Sequence, residues 1–301
     1  MPSTSQNRGF VATIGSFDGV HLGHRHVIRQ VEELAHQLGL SSMVVSFPNH
    51  PLKVLRPDFH PELLTLADEK EALLRDLGAD SVVMLPFTRD LSMLTSREFM
   101  DRILREQLGV KVLVIGYDNH FGHDRRSFDD YVAYGKELGI EVVRGTQTET
   151  AGLVPSSTAI RQALKSGDVE LANSLLGYAY RIDGEVVSGF HVGTTIGYPT
   201  ANISVDADKL LPRGGAYCVR CLDHVGMMNI GHRPTLDNGS EQSIEIHLLD
   251  FEGNLYDRQL QVELLSFLRE ERKFGSLEEL KQQLHHDEEA CRKLCEGIVE
   301  V

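Results

Sequence analysis

The sequence predicts an α/β fold followed by a small β fold, and three observations predict it. Up to residue 145, short apolar strands alternate with amphipathic helices, each helix stopping at Leu-Gly. After Leu175-Leu176-Gly177 the helical spacing gives way to short strands set off by Gly, Pro, Asn and Asp. The last stretch, from Ser276, returns to helix. The expected architecture is an N-terminal doubly wound, Rossmann-like parallel sheet over residues 1–179. A small antiparallel β-barrel with C-terminal helices follows over 180–301, the change falling near Tyr178 to Arg181.

Phe10-Val11-Ala12-Thr13-Ile14 is short, apolar and partly β-branched, so it reads as the first strand. Val27, Val31, Leu34, Ala35 and Leu38 then recur at helical spacing. Later helices stop at Leu77-Gly78, Leu108-Gly109 and Leu138-Gly139, where glycine suits the left-handed residue that ends a helix. Strands follow at 43–47, 82–87, 110–116 and 140–145, and strands separated by helices pair in parallel. In the second half, strands are expected at 182–189, 217–222, 225–230, 244–249 and 260–267. Two terminal helices are expected at 276–284 and 287–298, with Ser276 and Asp287 as their caps.

A chain of 301 residues with 41% hydrophobic content suits a globular protein of two domains. The net charge of −14, without a Lys/Arg cluster, argues against a nucleic-acid surface. An anionic substrate must therefore be held locally. No apolar run is long enough for a membrane span, and residues 1–8 lack the apolar core of a signal peptide, so a cytoplasmic location is expected. Cys218 and Cys221 lie three apart on a strand and face opposite sides; Cys291 and Cys295 have no further ligands near them. Buried reduced thiols are the expectation for all four.

Chemistry gathers at five places. Gly15-Ser16-Phe17-Asp18-Gly19-Val20-His21-Leu22-Gly23-His24 joins the first strand to the first helix, a corner whose free N–H groups and helix dipole favour phosphate. A glycine-rich turn with surface histidines is the competing reading of that decapeptide. Gly116 to Arg126 follows the fourth strand, so it is placed either to share that pocket or to be an ordinary solvated loop. Pro155-Ser156-Ser157-Thr158-Ala159-Ile160-Arg161 opens a helix with more hydroxyls than a cap requires, together with an arginine, as a triphosphate would use. Gly189 to Asn202 is either a phosphate-approaching loop or a flap; within it Thr200 and Asn202 offer uncharged oxygens to Mg²⁺. In Ser243-Ile244-Glu245-Ile246-His247-Leu248, alternation leaves Glu245 and His247 on one face, where Glu245 is either a solvated strand glutamate or a base for a substrate hydroxyl.

These residues, from about Ala12 to Asp287, resemble the bacterial bifunctional riboflavin kinase and FMN adenylyltransferase family, the FAD synthetases. G-x-F-D-G-x-H-x-G-H stands at Gly15 to His24, and S-S-T-x-I-R at Ser156 to Arg161. G-x-P-T-A-N stands at Gly197 to Asn202, N-x-G-x-R-P-T at Asn229 to Thr235, and E-x-h-L-L-D-F at Glu245 to Phe251. The family's G-x-D-F-x-F-G segment departs here at Asn119 and His120, and Thr194 stands where many members carry arginine. The resemblance implies two reactions: ATP phosphorylates riboflavin to FMN in the barrel, then FMN attacks a second ATP in the sheet domain, giving FAD and pyrophosphate.

It further implies roles. Glu245 would be the kinase base and Thr200 and Asn202 would hold Mg²⁺, with Gly193, Gly197, Pro199, Asn229, Arg233 and Arg269 around ATP and flavin. His21 and His24 would stabilise the transferring phosphate. Gly15, Phe17, Asp18, Gly23, Ser157, Thr158 and Arg161 would hold ATP and its phosphates, and Asp118, Asn119 and Phe121 the FMN side. Two other functions fit the same residues: a sheet domain impaired as an adenylyltransferase or acting on another phosphate acceptor, or a non-catalytic flavin or nucleotide sensor. Retention of both histidines and of Glu245 speaks against a sensor, which needs binding and no base.

Overall fold

Phe10–Ile14 forms strand β1 with the bounds expected, and its alternation decides how the first half is layered. Ala12 and Ile14 point to one face of the sheet, with Phe99, Met100, Leu104 and Tyr131; Val11 points to the other, with Val31 and Ala35. The computed structural model of the chain describes residues 9–56, 58–59, 61–117, 119–188, 197–234 and 240–296. These form two compact units, Met1–Ser157 and Thr158–Val301.

In the first unit β1 is followed by α1 (Leu22–Leu38), β2 (Ser41–Ser46), α2 (Pro51–Leu55), α3 (Ala67–Asp76), β3 (Ser81–Met84), α4 (Arg89–Ser92) and α5 (Ser96–Glu98). A π-helix (Phe99–Gln107), β4 (Val110–Ile115), α6 (Phe128–Leu138) and β5 (Glu141–Arg144) complete it. All pairings are parallel and the strand order is β3-β2-β1-β4-β5. Gly39 and Gly139 end their helices in the left-handed conformation that the Leu-Gly pattern implies. Strand order reverses between β1 and β4, so the crevice beyond the ends of these two strands is where a ligand fits.

The second unit opens with α7 (Ser157–Ser166) and α8 (Val169–Leu176) and continues into β6 (Arg181–Val187), β7 (Ala201–Val205), β8 (Gly215–Cys221), β9 (His224–Pro234), β10 (Ser240–Leu248) and β11 (Gln259–Arg269). The strands close into a barrel in the order β10-β7-β6-β11-β8-β9. Helix α8 goes with the barrel because Asn173 binds it twice: its amide donates to Leu264 O at 2.9 Å and its carbonyl accepts from Tyr180 N at 2.8 Å. The compositional change at Tyr178 to Arg181 and the parting of the compact units at Ser157 are thus different boundaries.

Two expectations are corrected here. Strand β7 begins inside what reads as a loop: Ala201–Val205 pairs antiparallel with both β6 and β10, and without it the barrel has a gap. The two terminal helices are one, α9 (Leu277–Glu296), and Asp287 is no cap. It is buried in mid-helix because an arginine reaches it from the barrel. The barrel interior takes Ile182, Ile203, Tyr217, Met228, Ile230, Ile244, Ile246 and Val262, so the alternate residues face outward. Part of that outer face is covered by α9, where Cys291 packs with Cys218 and Met227. Cys218, Cys221 and Cys291 are buried free thiols, and Cys295 is half-buried.

Candidate functional sites

The corner between β1 and α1 is a strained turn held from several sides. Phe17 and Val20 have φ of 47° and 37°, a conformation that costs a non-glycine residue about 1–3 kcal/mol, most of all a β-branched one. Neighbours over-determine it. Both Asp18 carboxylate oxygens accept from Leu64 N (3.0 and 3.2 Å), and Oδ1 also accepts from Thr65 N (3.1 Å); Gly19 N donates to Thr65 Oγ1 (3.0 Å). Gly23 is tightly confined, since a Cβ would lie 3.0 Å from Pro155 O and 3.1 Å from the His21 ring, which would have to give by a few tenths of an ångström.

His21 caps α1: its Nδ1 accepts from His24 N at 3.3 Å, which leaves the proton of the neutral ring on Nε2. Burial pushes His21 down to about 4. His24 is held well below the ordinary imidazole range, by burial first and then by the charges of His21 and Lys70. At neutral pH both rings are therefore uncharged donors. A buried positive charge near His24 is Lys70 on α3, which donates to Phe47 O at 2.6 Å just beyond the end of β2. Burial lowers its ammonium to about 8, against the pull of Asp18. Nothing in the sequence marks this lysine, which reads as one more charge on a helix. At the strand-order reversal, the Asn119 amide donates to Ile14 O and so links the end of β1 to the loop after β4.

The barrel supplies a second site through its register. Asn202 on β7 stands opposite Glu245 on β10; Glu245 stands opposite Asn229 on β9; Asn229 opposite Ala216 on β8; and Ala216 opposite Arg269 on β11. Directly opposed residues point the same way, so this is one outward row across five strands. At about 4.8 Å per strand it runs roughly 19 Å along the curved sheet from Asn202 to Arg269. Thr200, Asn229, Glu245, Ala216 and Arg269 line one pocket, with Tyr198, Met227, Phe274 and, from α9, Leu280, Leu284 and Asp287. His247, Glu271 and Arg272 line it as well, so charged and polar groups border it together with the apolar side chains. His247 Nδ1 donates to Pro199 O at 2.8 Å, and the Tyr198 hydroxyl donates to Glu288 at 3.2 Å, which fixes the segment carrying Thr200.

Residues 3–159 match the FAD synthetase family and residues 176–295 the riboflavin kinase family. A bifunctional riboflavin kinase/FMN adenylyltransferase of Pseudomonas fluorescens is 41% identical, over 96% of this chain and 94% of its own length. One of Escherichia coli (strain K12) is 40% identical, over 97% and 94%.

The chain belongs to the bifunctional riboflavin kinase/FMN adenylyltransferase family.

A crystal structure described as a macrolide-efflux protein from Streptococcus pneumoniae shares the fold of this family member, with a TM-score of 0.85 and 31% identity over 95% of each chain. Among the described residues of the present chain, no helix is long and apolar enough to cross a membrane.

Within this bifunctional architecture several expected site residues also make structural contacts. The Asp18 carboxylate accepts from the backbone N–H groups of Leu64 and Thr65, far along the chain, and so anchors the turn. Phe17 is buried and stands edge-on to His24 with 5.1 Å between ring centroids, a wall of the site without a polar group. Ser157 donates its hydroxyl hydrogen to Asp18 O at 2.8 Å, so the closing segment is pinned to the turn. Phe121 is core, stacked on Tyr131 with 4.5 Å between centroids. Gly15 keeps its place, donating N–H to Val45 O at 3.1 Å. Thr158 and Arg161 lie on α7, in the second unit. Gly197 has φ +87°, at the head of the Thr200 segment. Asp118, Gly193 and Thr194 lie outside the described residues, as does the side chain of Arg233, whose backbone on β9 pairs with Glu241.

Proposed function

We propose that the chain makes FMN from riboflavin and ATP at the barrel pocket, and FAD from FMN and ATP at the β1–α1 corner. The observation that carries the reading is the register row. It sets the Glu245 carboxylate beside the amides of Asn202 and Asn229, on a pocket that also has apolar lining from Phe274, Leu280 and Leu284, as a polar-tailed aromatic substrate requires. Family membership in both halves supports the order of the two steps.

In the kinase step Glu245 accepts the proton of the riboflavin 5′-hydroxyl as that oxygen attacks the γ-phosphorus of ATP. The donor set suits Mg²⁺: Thr200 and Asn202 offer uncharged oxygens next to Glu245, and no cluster of three acidic, His or Cys side chains among the described residues would favour a fully protein-bound metal. Mg²⁺ held there with ATP would neutralise charge on the transferring phosphoryl group. The apolar lining, Met227, Phe274, Leu280 and Leu284, receives the ring system. In the adenylyl transfer, a phosphate oxygen of FMN attacks the α-phosphorus of ATP and pyrophosphate leaves, so no protein nucleophile is needed. His21 and His24 act there as neutral hydrogen-bond donors, and Lys70 with the N-terminus of α1 supplies the positive field. Gly15 and Gly23 allow close approach, and Asn119 orients the FMN side. The kinase domain is assigned to 180–301 and the adenylyltransferase to 1–179, and the cytoplasm is the compartment where both substrates would be met.

Chromatography of the products from riboflavin, ATP and Mg²⁺ tests the reading: FMN appears first and FAD follows. His24→Ala stops at FMN, and Glu245→Gln makes FAD only when FMN is supplied. An Ala or Gln variant that impairs both steps alike would refute the division of labour.

A further inference from the structure

Helix α9 lies outside the barrel, yet one of its residues governs how a pocket residue is presented. Arg269 closes the end of the register row farthest from Asn202, and its guanidinium is gripped by Asp287. Nε donates to Asp287 Oδ1 and Oδ2 at 3.2 and 3.0 Å, and Nη2 donates to Oδ2 at 2.8 Å. The pair is largely shielded, the side chains being 19% and 6% exposed. Gln283, one turn earlier on α9, donates to Asp287 Oδ1 at 2.8 Å and fixes the carboxylate in turn. Nη1 donates to Glu270 O at 3.2 Å. Arginine carries five N–H groups, so among the described residues one hydrogen on each terminal nitrogen remains beyond these bonds. Phe274, with its centroid 5.7 Å from Arg269 Cζ, borders the same end.

An unrestrained arginine side chain samples many rotamers, and a bidentate carboxylate removes most of that freedom before a ligand arrives. We propose that Asp287 is a positioning residue for riboflavin phosphorylation: it aims Arg269 at the flavin in the pocket, and through it α9 becomes a working part of the kinase site. This rests on assigning the barrel pocket to the kinase. Arg269 stands three strand spacings, about 14 Å along the curved sheet, from Glu245, so the pair acts on substrate binding and not on proton removal. Its signature is a change in the riboflavin KM with kcat and the ATP KM nearly preserved.

The test uses the full chain and a double-mutant cycle, with FAD formation from supplied FMN measured alongside. Arg269→Met and Asp287→Ala are each expected to raise the riboflavin KM about tenfold, with kcat within about threefold of the unaltered chain. The double variant should be no worse than Arg269→Met, because the two residues act as one unit. A double variant near the product of the single effects would overturn the inference, as would an Asp287→Ala chain with an unaltered KM beside an impaired Arg269→Met. Should Asp287→Ala not fold, Asp287→Asn keeps the shape and one acceptor oxygen and should show a smaller rise in the same constant; an unaltered KM there would also overturn the inference. Failure of the unaltered chain to make FMN would instead remove the kinase assignment itself.

Discussion

The rings of His21 and His24 stack with 3.6 Å between centroids and 20° between planes. Two imidazoles so close cannot both carry charge cheaply, and burial already disfavours the cationic form of each. FAD formation from FMN should therefore show no imidazole titration between pH 6 and 8, checked by kcat/KM against pH. His24→Ala should lower it about 10²-fold or more, the usual loss of a transition-state donor. The linkage to stability runs with this sign: His21 has its folded value below the ordinary 6.5, so protons bind the unfolded chain better. Its contribution to stability is complete above about 6.5 and is lost as pH falls toward 4. Replacing His21 with Gln should flatten that part of the profile of thermal unfolding.

Lys70 offers a different pH dependence. Its ammonium loses charge near pH 8, so the adenylyl-transfer rate should fall above that value. Lys70→Met should be slow at all pH and lack that alkaline limb, whereas Lys70→Arg should push it beyond pH 9. An unchanged limb in the Met variant would assign it to another group.

Asp18→Asn puts a donor in place of one of the two oxygens that accept from Leu64 N and Thr65 N, and removes the charge that strengthens all three bonds. A cost of about 1–3 kcal/mol is expected for the first unit, read as a lower unfolding temperature. Because the strained Phe17 and Val20 conformations depend on that anchor, FAD formation should fall with it while FMN formation is retained.

Glu245→Gln keeps the shape of the row and removes the base. Riboflavin phosphorylation should drop about 10²–10⁴-fold while FAD formation from supplied FMN stays normal, both measured on one preparation.

Gly23→Ala adds one carbon against Pro155 O and the His21 ring. The His21 cap must shift to admit it, so FAD formation should fall by at least about tenfold with the fold kept, as circular dichroism and the retained kinase activity would show.

Much of this is legible in the chain. β1, the Leu-Gly stops and the His-x-x-His corner follow from local periodicity and from conformations that glycine alone adopts readily, and these travel with the sequence. What depends on distant partners does not. Asp18 looks like a site residue and is an anchor because Leu64 and Thr65 come to it from elsewhere. Asp287 resembles a cap because an aspartate commonly starts a helix, but Arg269 stabilises its charge in the middle of one. Lys70 is unremarkable until burial gives it weight. β7 hides behind Gly197 and Pro199, whose turn character masks the five strand residues that follow.

The barrel is closed, and closure removes the free edges along which a strand can slide. A slip of one residue in β10 would turn Glu245 into the oily interior and present Ile244 to the substrate. Alignment of the base with its neighbours is thus inherited from the main chain, locked all the way round, and not negotiated among side chains. Such a catalyst tolerates exchange of nearly any single lining group more readily than the gain or loss of one residue in a hairpin, where every partner in the ring would lose step at once.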